Sequence, residues 1–206
     1  MKELIKRYEK LNSNAVQIES AVETIINSYK NGGKLLICGN GGSSADGEHI
    51  VGELMKGFLK KRPLSEQKRQ EMLKNYPVDE EVLSKLQVGL PAISLPSIVG
   101  LNSAFCNDVE PELIYAQGVL ALAKQGDVLI AISTSGNSKN VVQAVKVAKA
   151  LGVTVISLTG ESGGALKCLS DVLIAVPETE TYKVQELHLP VYHYICAKVE
   201  EHFFKA

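Results

Sequence analysis

The side chains best placed to do chemistry lie in the segment from Lys34 to Phe58, KLLICGNGGSSADGEHIVGELMKGF. Its apolar start predicts a short buried strand that ends at Gly39, and its second half predicts an amphipathic helix that begins near Ser43. A glycine-rich turn at such a junction directs unpaired backbone N–H groups and the positive end of the helix dipole toward one point, where an anion can approach closely. The segment therefore predicts a phosphate-binding turn, although a turn without a ligand would have the same composition.

A histidine and a glutamate follow on the same predicted helix. His49 and Glu53 are four residues apart, so they share one helical face. An imidazole beside a carboxylate, close to an anion site, is suited to moving protons. The alternative is a solvent-exposed pair with no catalytic role.

A second junction of the same kind occurs later in the chain. The apolar run Val128 to Ile132 is followed by the sequence Ser-Thr-Ser-Gly-Asn-Ser, which leads directly into a helix that begins at Lys139. The hydroxyl groups and the helix N-terminal amides of this loop can donate to phosphate oxygens, and Ser138 suits an N-cap. Taken alone, the loop is somewhat more typical of a well-capped helix with a serine-rich turn.

The order of the elements places both junctions on one edge of a sheet. Apolar segments near residues 35, 92, 129, 154 and 173, with helices between them, predict an α/β fold with a doubly wound, five-stranded parallel sheet. Ligands of such sheets bind beyond the carboxyl ends of the strands, which strengthens the phosphate interpretation. The chain has neither G-x-G-x-x-G nor G-x-x-x-x-G-K-[ST], so a nucleotide cofactor is not expected.

Two long helices are predicted at the ends of the chain. Residues 2 to 30 have helical periodicity and more apolar surface than one sheet face can cover, so part of this long N-terminal helix is expected to contact another subunit. Residues 182 to 204 predict the final helix, and Pro190 is expected to kink it near Glu186.

Residues 60 to 88 differ in composition from the rest of the chain. They are highly charged and predict an insertion of two short helices separated by Pro77. The insertion is either a lid or interface element over the site or a solvated excursion, for which the predicted anchors are Met72, Leu73 and Leu86.

Composition limits the class of protein. The chain has 206 residues, 45% hydrophobic and 22% charged, with a formal net charge of −1, which indicates one globular domain over residues 1 to 206. Neither a nucleic-acid nor a membrane partner is expected, and the N-terminus MKELIKRYEK lacks a signal-peptide core, so a cytoplasmic location is predicted. The four cysteines are predicted to be reduced packing residues.

Three segments resemble a known family. Residues 39 to 54, 132 to 160 and 184 to 204 are similar to the sugar isomerase (SIS) domain, and specifically to its phosphoheptose isomerase branch. The Ser-Thr-Ser-Gly-Asn-Ser loop is typical of SIS domains in general, whereas the set of His49, Glu53, Gln185 and His193 points to the heptose branch. The resemblance covers nearly the whole chain apart from the insertion, and it implies a flavodoxin-like strand order.

The resemblance also implies roles for individual residues. It implies Glu53 and His193 as the catalytic acid/base pair and a zinc ion bound by His49, Glu53, Gln185 and His193. The substrate-binding residues that it implies are Asn40, Gly41, Gly42, Glu53, Asn107, Asp108, Ser133, Thr134, Ser135, Ser138 and Gln185, with the phosphate held by the four hydroxyl residues.

The spacing of two of these residues raises a geometric question. Gln185 and His193 are eight residues apart on the predicted final helix, which separates them by about 12 Å along its axis. We therefore expect them to reach a given metal from different subunits, or to be brought together by a kink at Pro190.

The family reaction suits the residues. Phosphoheptose isomerases are homotetramers with sites at subunit boundaries, and they interconvert sedoheptulose 7-phosphate and D-glycero-D-manno-heptose 7-phosphate for surface-glycan precursors. Such an isomerisation needs a base to move a proton between neighbouring carbons and an acid for the oxygens, roles that suit Glu53 and His193. Two alternatives stay open: a non-catalytic SIS domain that binds a phosphosugar or associates with the replication initiator, and an isomerase of a different phosphosugar.

Overall fold

The computed structural model describes residues 1–204 and contains a five-stranded parallel sheet with the strand order β2-β1-β3-β4-β5. The strands are Leu35–Cys38 (β1), Ala92–Ser94 (β2), Val128–Ile132 (β3), Thr154–Thr159 (β4) and Val172–Ala175 (β5). The predicted α/β fold, with a flavodoxin-like strand order, is confirmed.

Helices cover both faces of this sheet. The α-helices are Lys2–Arg7 (α1), Ala15–Lys30 (α2), Gly42–Met55 (α3), Glu66–Asn75 (α4), Glu80–Lys85 (α5), Val99–Asp108 (α6), Ile114–Leu122 (α7), Lys139–Ala150 (α8) and Thr181–Phe203 (α9). Short 3-10 helices occur at Glu9–Asn14, Leu95–Ser97, Pro111–Leu113 and Gly164–Cys168.

Each sheet face has its own hydrophobic cluster. Helices α2, α3 and α9 pack on one face, where Leu35 and Ile37 of β1 are fully buried, and α7 and α8 pack on the other, against Leu36 and Cys38. Because both faces are covered, the central strands are continuous apolar runs rather than alternating ones. Within residues 1–204, no helix is long and apolar enough to cross a membrane.

The N-terminal segment is not the single helix predicted for residues 2 to 30. The helix breaks at Tyr8, with φ −136° and ψ 72°, and the 3-10 segment Glu9–Asn14 separates α1 from α2. The buried side chain of Asn14 donates to the carbonyl oxygen of Ala175 at 2.8 Å, which ties this break to the end of β5. A specific tertiary contact therefore overrides the helical periodicity.

The charged insertion forms the two predicted helices, α4 and α5, on either side of Pro77. Its predicted anchors are wrong in part, because Leu73 and Leu86 are exposed and Leu83 is the residue that is fully buried. The insertion is closed at its base, where the N–H of Val88 donates to the carbonyl oxygen of Arg62 at 2.7 Å.

The cysteine prediction holds for two of the four thiols. Cys38 and Cys196 are buried packing residues, and burial raises the pKa of each thiol to about 12. Cys106 and Cys168 are exposed, so for them the prediction of a packing role is wrong.

A buried ion pair fixes the chain where it leaves α3. Arg62 donates to Glu200 Oε1 at 2.8 Å and to the carbonyl oxygens of Glu53 and Leu54 at 3.1 and 2.6 Å. The Glu200 carboxylate also accepts the backbone N–H groups of residues 58, 59 and 60 at 2.8, 2.7 and 3.1 Å. The last turn of α3, which carries Glu53, is thereby tied to α9, and carbonyl groups that a helix end leaves unpaired receive a donor.

His188 anchors α9 to the end of β4. Its ring is fully buried, and Nε2 lies 3.2 Å from the carbonyl oxygen of Thr159. Burial lowers the pKa of His188 to about 4, and the hydrogen bond to Thr159 opposes this shift.

We expect this histidine to make folding stability depend on pH. Between about pH 6.5 and pH 4 the unfolded chain protonates His188 and the folded chain does not, so the free energy of unfolding falls as pH falls, by about 3 kcal/mol across the window. In urea unfolding, His188→Gln should lose most of this dependence of the free energy of unfolding on pH, whereas His202→Gln, at an exposed histidine, should keep it. Equal slopes in the two variants would contradict the assignment.

Candidate active site

A pair of amide hydrogen bonds joins the turn after β1 to the helix that follows β3. Asn40 Nδ2 donates to Asn140 Oδ1, and Asn140 Nδ2 donates to Asn40 Oδ1, both at 2.9 Å. The buried Tyr115 hydroxyl fixes the same turn by donating to the carbonyl oxygen of Gly39 at 2.8 Å. Since β1 and β3 are neighbours, the N-termini of α3 and α8 lie at one edge of the sheet, as the sequence predicted.

The loop after β3 presents hydroxyl and amide groups but no charged side chain. Ser133 Oγ and Ser138 Oγ lie 2.9 Å apart. Ser135 is exposed, and its hydroxyl oxygen accepts the N–H of Asn137 at 3.2 Å. The neighbouring cation in sequence, Lys139, is paired with Glu112 at 2.6 Å, so an anion in this loop would be held mainly by neutral donors and by the start of α8.

Two glycines at this edge of the sheet allow neighbouring segments to pack closely against the backbone. Gly136 has φ +67°, and a Cβ atom there would overlap the carbonyl oxygen of Gly163, so the loop can pack against its neighbour only with glycine. At Gly42, a Cβ atom would come within 2.6 Å of Gln185 Nε2. The amide of Gln185 therefore lies directly against the start of α3.

His49, Glu53 and His193 form a cluster toward the other end of α3. His49 Nε2 lies 3.2 Å from Glu53 Oε1 and 3.5 Å from His193 Nε2. The imidazole rings of the two histidines meet edge to face, with centroids 4.9 Å apart. Lys56 approaches the second carboxylate oxygen of Glu53 at 3.3 Å. The predicted acid/base residues Glu53 and His193 are thus brought to one place by α3 and α9.

Two features of its surroundings lower the pKa of His193. Burial lowers the pKa of His193 below its ordinary value, and the adjacent His49 lowers it further, whereas the Glu53 carboxylate opposes the change. Within residues 1–204, no group of three or more His, Cys, Asp and Glu side chains has the arrangement of a formed metal site.

The remaining predicted site residues lie apart from this cluster. Gln185 contacts Gly42, which is seven residues, or about 10 Å along α3, before His49. Asn107 and Asp108 are exposed at the end of α6, where the amide of Asn107 donates to Asp108 at 2.8 Å. Helix α9 is assigned as one helix, Thr181–Phe203, with Pro190 inside it. The expectation that Gln185 and His193 serve one metal from different subunits, or through a kink, stays a prediction.

Four residues at the site were not singled out from the sequence. Tyr115 and Asn140 hold the turn after β1, and Asp46 and Tyr192 lie behind His49. Asp46 could have been found, since it is three residues before His49 on the helical face already identified. Asn140 and Tyr115 could not, because their contacts depend on how β1, α7 and α8 pack.

Comparisons with known proteins identify the family. Residues 1–77 and residues 100–194 each match a family model described as an SIS domain. The phosphoheptose isomerase of Helicobacter pylori (strain P12) is 38% identical over 202 residues, which cover 98% of this chain and 91% of that protein. The chain belongs to the phosphoheptose isomerase family. It is therefore a member of an isomerase family, and the resemblance to phosphoheptose isomerases is confirmed.

Solved structures of phosphoheptose isomerases have the same fold. The enzyme of Neisseria gonorrhoeae is 32% identical with a TM-score of 0.74, and that of Francisella tularensis is 30% identical with a TM-score of 0.78. In both comparisons, 97% of this chain and 94% of the other chain are covered. The similarity thus extends over the whole architecture.

Proposed function

We propose that this phosphoheptose isomerase family member interconverts sedoheptulose 7-phosphate and D-glycero-D-manno-heptose 7-phosphate, for the synthesis of heptose-containing surface glycans in the cytoplasm. The observation that carries the proposal is the Asn40–Asn140 contact. It joins the turn after β1, which leads into the helix that carries His49 and Glu53, to the first turn of α8, which directly follows the hydroxyl-rich loop after β3. The N-terminus of α3 is therefore tied to the helix that follows the proposed phosphate loop, and the same α3 carries His49 and Glu53 of the acid/base cluster.

This arrangement suggests a role for each residue in binding or catalysis. The hydroxyl groups of residues 133 to 138 and the start of α8 hold the phosphate, and Asn40 and Gln185 contact the sugar. The Glu53 carboxylate removes the proton from the carbon beside the carbonyl, and the C–H electrons form the double bond of an enediolate. Return of that proton to the neighbouring carbon, with His193 moving protons between the oxygens, gives the other sugar.

We also propose that the cluster binds zinc. Two imidazole nitrogens and a carboxylate are the donor set of many catalytic zinc sites, whose ligand atoms stand about 3.3 Å apart around a tetrahedral ion. The separations of 3.2 and 3.5 Å from His49 Nε2 to Glu53 and to His193 are close to that value, although among residues 1–204 the three side chains are not arranged as a formed metal site. A bound zinc ion would supply positive charge to stabilise the oxygens of the enediolate.

The proposed assembly is a homotetramer in which sites lie at subunit boundaries. Gln185 of one chain lies at the phosphate end of its own α3 and away from His193, so a full set of four zinc ligands would need a contribution across such a boundary. Leu59 and Leu189 are exposed near His193 and line the same groove, which supports contact between copies of this chain.

Purified protein incubated with sedoheptulose 7-phosphate tests the proposal. We expect the aldose phosphate to appear, activity to be lost after dialysis against a chelator, and activity to return with zinc, all followed by NMR. A parallel panel of other ketose phosphates tests substrate identity, because preferred turnover of another sugar would favour an isomerase of that sugar. If no metal condition gives turnover of any of them, the chain is a binding module instead.

The exposed hydroxyl of the phosphate loop gives a specific prediction. Ser135→Ala removes a donor to a charged oxygen, a hydrogen bond of about 1.5 to 3 kcal/mol, so KM should rise about 10-fold to 100-fold while kcat changes little. Ser13→Ala, between α1 and α2, is the matched control and should leave KM unchanged. An unaltered KM in Ser135→Ala, measured by initial rates, would remove this hydroxyl from the phosphate site.

A further inference from the structure

Two residues behind His49 form a short chain of hydrogen bonds. Tyr192 Oη lies 3.0 Å from His49 Nδ1 and 3.3 Å from Asp46 Oδ1, so the phenol bridges the imidazole and the carboxylate. The Tyr192 side chain is buried. The other oxygen of Asp46, Oδ2, is buried and has no hydrogen-bond partner within residues 1–204. Asp46 therefore depends on Tyr192 for a hydrogen bond to its carboxylate.

The number of available protons decides which group donates in each of these hydrogen bonds. Burial raises the pKa of the Asp46 carboxyl, and the hydrogen bond from Tyr192 opposes this shift. In its ionised form the carboxylate only accepts, and a phenol has one O–H, so the Tyr192 proton goes to Asp46. The phenol oxygen is then left to accept from His49, which requires the imidazole proton to be on Nδ1. In the opposite arrangement His49 Nε2–H would donate to Glu53 and the Tyr192 hydroxyl would donate to Nδ1, which leaves the buried Asp46 carboxylate without a donor. Glu53 has a second donor in Lys56, at 3.3 Å, so leaving Asp46 unpaired costs more free energy.

We propose that Asp46 and Tyr192 are positioning residues that hold His49 in the tautomer with its proton on Nδ1. The lone pair of Nε2 is then directed at the space shared with Glu53 Oε1, at 3.2 Å, and His193 Nε2, at 3.5 Å. A lone pair facing a carboxylate favours a cation between them. The use of that lone pair for zinc rests on the proposed function, whereas the tautomer does not.

The tautomer is measured in the metal-free protein. In protein labelled with 15N at histidine, two-bond 1H–15N correlation spectra assign the protonated ring nitrogen of His49, with the His49→Gln variant identifying its signals. We expect Nδ1–H to predominate in the wild type and to give way to Nε2–H in Tyr192→Phe, which keeps the buried ring. Predominance of Nε2–H in the wild type would overturn the proposal.

Zinc affinity gives a second readout that does not depend on turnover. Outer hydrogen bonds to a ligating histidine are worth about 10-fold to 100-fold in metal affinity, so Tyr192→Phe should weaken zinc binding by that factor in a chelator competition. Tyr194→Phe is the matched control on the same helix, since its hydroxyl donates to Glu19 at 2.7 Å and not to the cluster. Equal affinities of Tyr192→Phe and wild type would contradict the proposal.

A double-mutant cycle separates positioning from general damage to the fold. Because Asp46 acts through Tyr192, Asp46→Asn should weaken zinc binding in the wild-type background and have little further effect in the Tyr192→Phe background. Equal losses in both backgrounds would mean that Asp46 acts independently. If the wild-type protein has the predicted tautomer but shows neither turnover nor zinc binding, the proposed function is wrong and the inference about the tautomer is supported.

Discussion

Glu53→Gln is expected to lower kcat for the interconversion of the two heptose phosphates by about 10²-fold to 10⁴-fold, the usual contribution of a general base. The amide keeps the shape of the side chain and an oxygen toward His49, but it cannot accept the proton from carbon. KM should change little, because the phosphate is held by the loop after β3, whereas Glu53 lies near the C-terminal end of α3. Initial rates over a range of substrate concentrations measure both constants.

Two controls make this result specific. Glu48→Gln alters a glutamate on the same helix whose carboxylate accepts from Ser97 at 2.9 Å, and it should retain wild-type kcat. Zinc content of Glu53→Gln, measured by atomic absorption, shows whether a lower rate reflects a lost metal or a lost base. If kcat of a metal-loaded Glu53→Gln protein is within a few-fold of wild type, Glu53 is not the base.

Glu200→Gln is expected to lower the free energy of unfolding by about 3 to 5 kcal/mol, because it leaves the guanidinium of Arg62 buried without a counter-charge. Burial alone would raise the pKa of Glu200, yet the amide bonds from Phe58 and Leu59 and the guanidinium of Arg62 bring it below its ordinary value. The carboxylate is therefore ionised in the folded protein, and its loss should show in urea unfolding at pH 7.

The adjacent glutamate provides the comparison. Glu201 pairs with Lys198 at 2.6 Å on the exposed side of α9, so Glu201→Gln should leave the unfolding midpoint nearly unchanged. Adding Arg62→Met to Glu200→Gln should recover part of the loss, because it removes the unpaired charge while the amide oxygen can still accept from the backbone N–H groups of residues 58 to 60. A Glu200→Gln protein as stable as Glu201→Gln would mean that the buried pair does not hold the end of α3.

The sequence was sufficient where a local pattern and a topological rule agreed. The apolar runs of β1 and β3 and the polar turns that follow them are visible in the chain, and parallel pairing then requires both turns to meet at one edge. The proximity of His49 and Glu53 was equally predictable from the sequence, because residues four apart lie on the same face of a helix.

The features that were missed depend on contacts between distant residues. The break before α2 follows from Asn14 bonding to the end of β5, which no periodicity in residues 2 to 30 indicates. Arg62 was predicted within a charged insertion, yet it is among the most buried side chains because Glu200 lies opposite it. The role of Tyr192 was missed for the same reason, because its position next to His193 in the sequence does not indicate a hydrogen bond to His49.

A crystal structure of the Glu53→Gln variant with sedoheptulose 7-phosphate is the most direct test of the proposed function. We expect phosphate oxygens within hydrogen-bond distance of the loop of residues 133 to 138. We also expect the first two carbons of the sugar to lie beside the substituted side chain at position 53 and beside His193, within one chain or across a subunit boundary. A phosphate bound elsewhere, or a sugar whose first two carbons lie far from His49 and His193 in every site of the assembly, would contradict the proposed function.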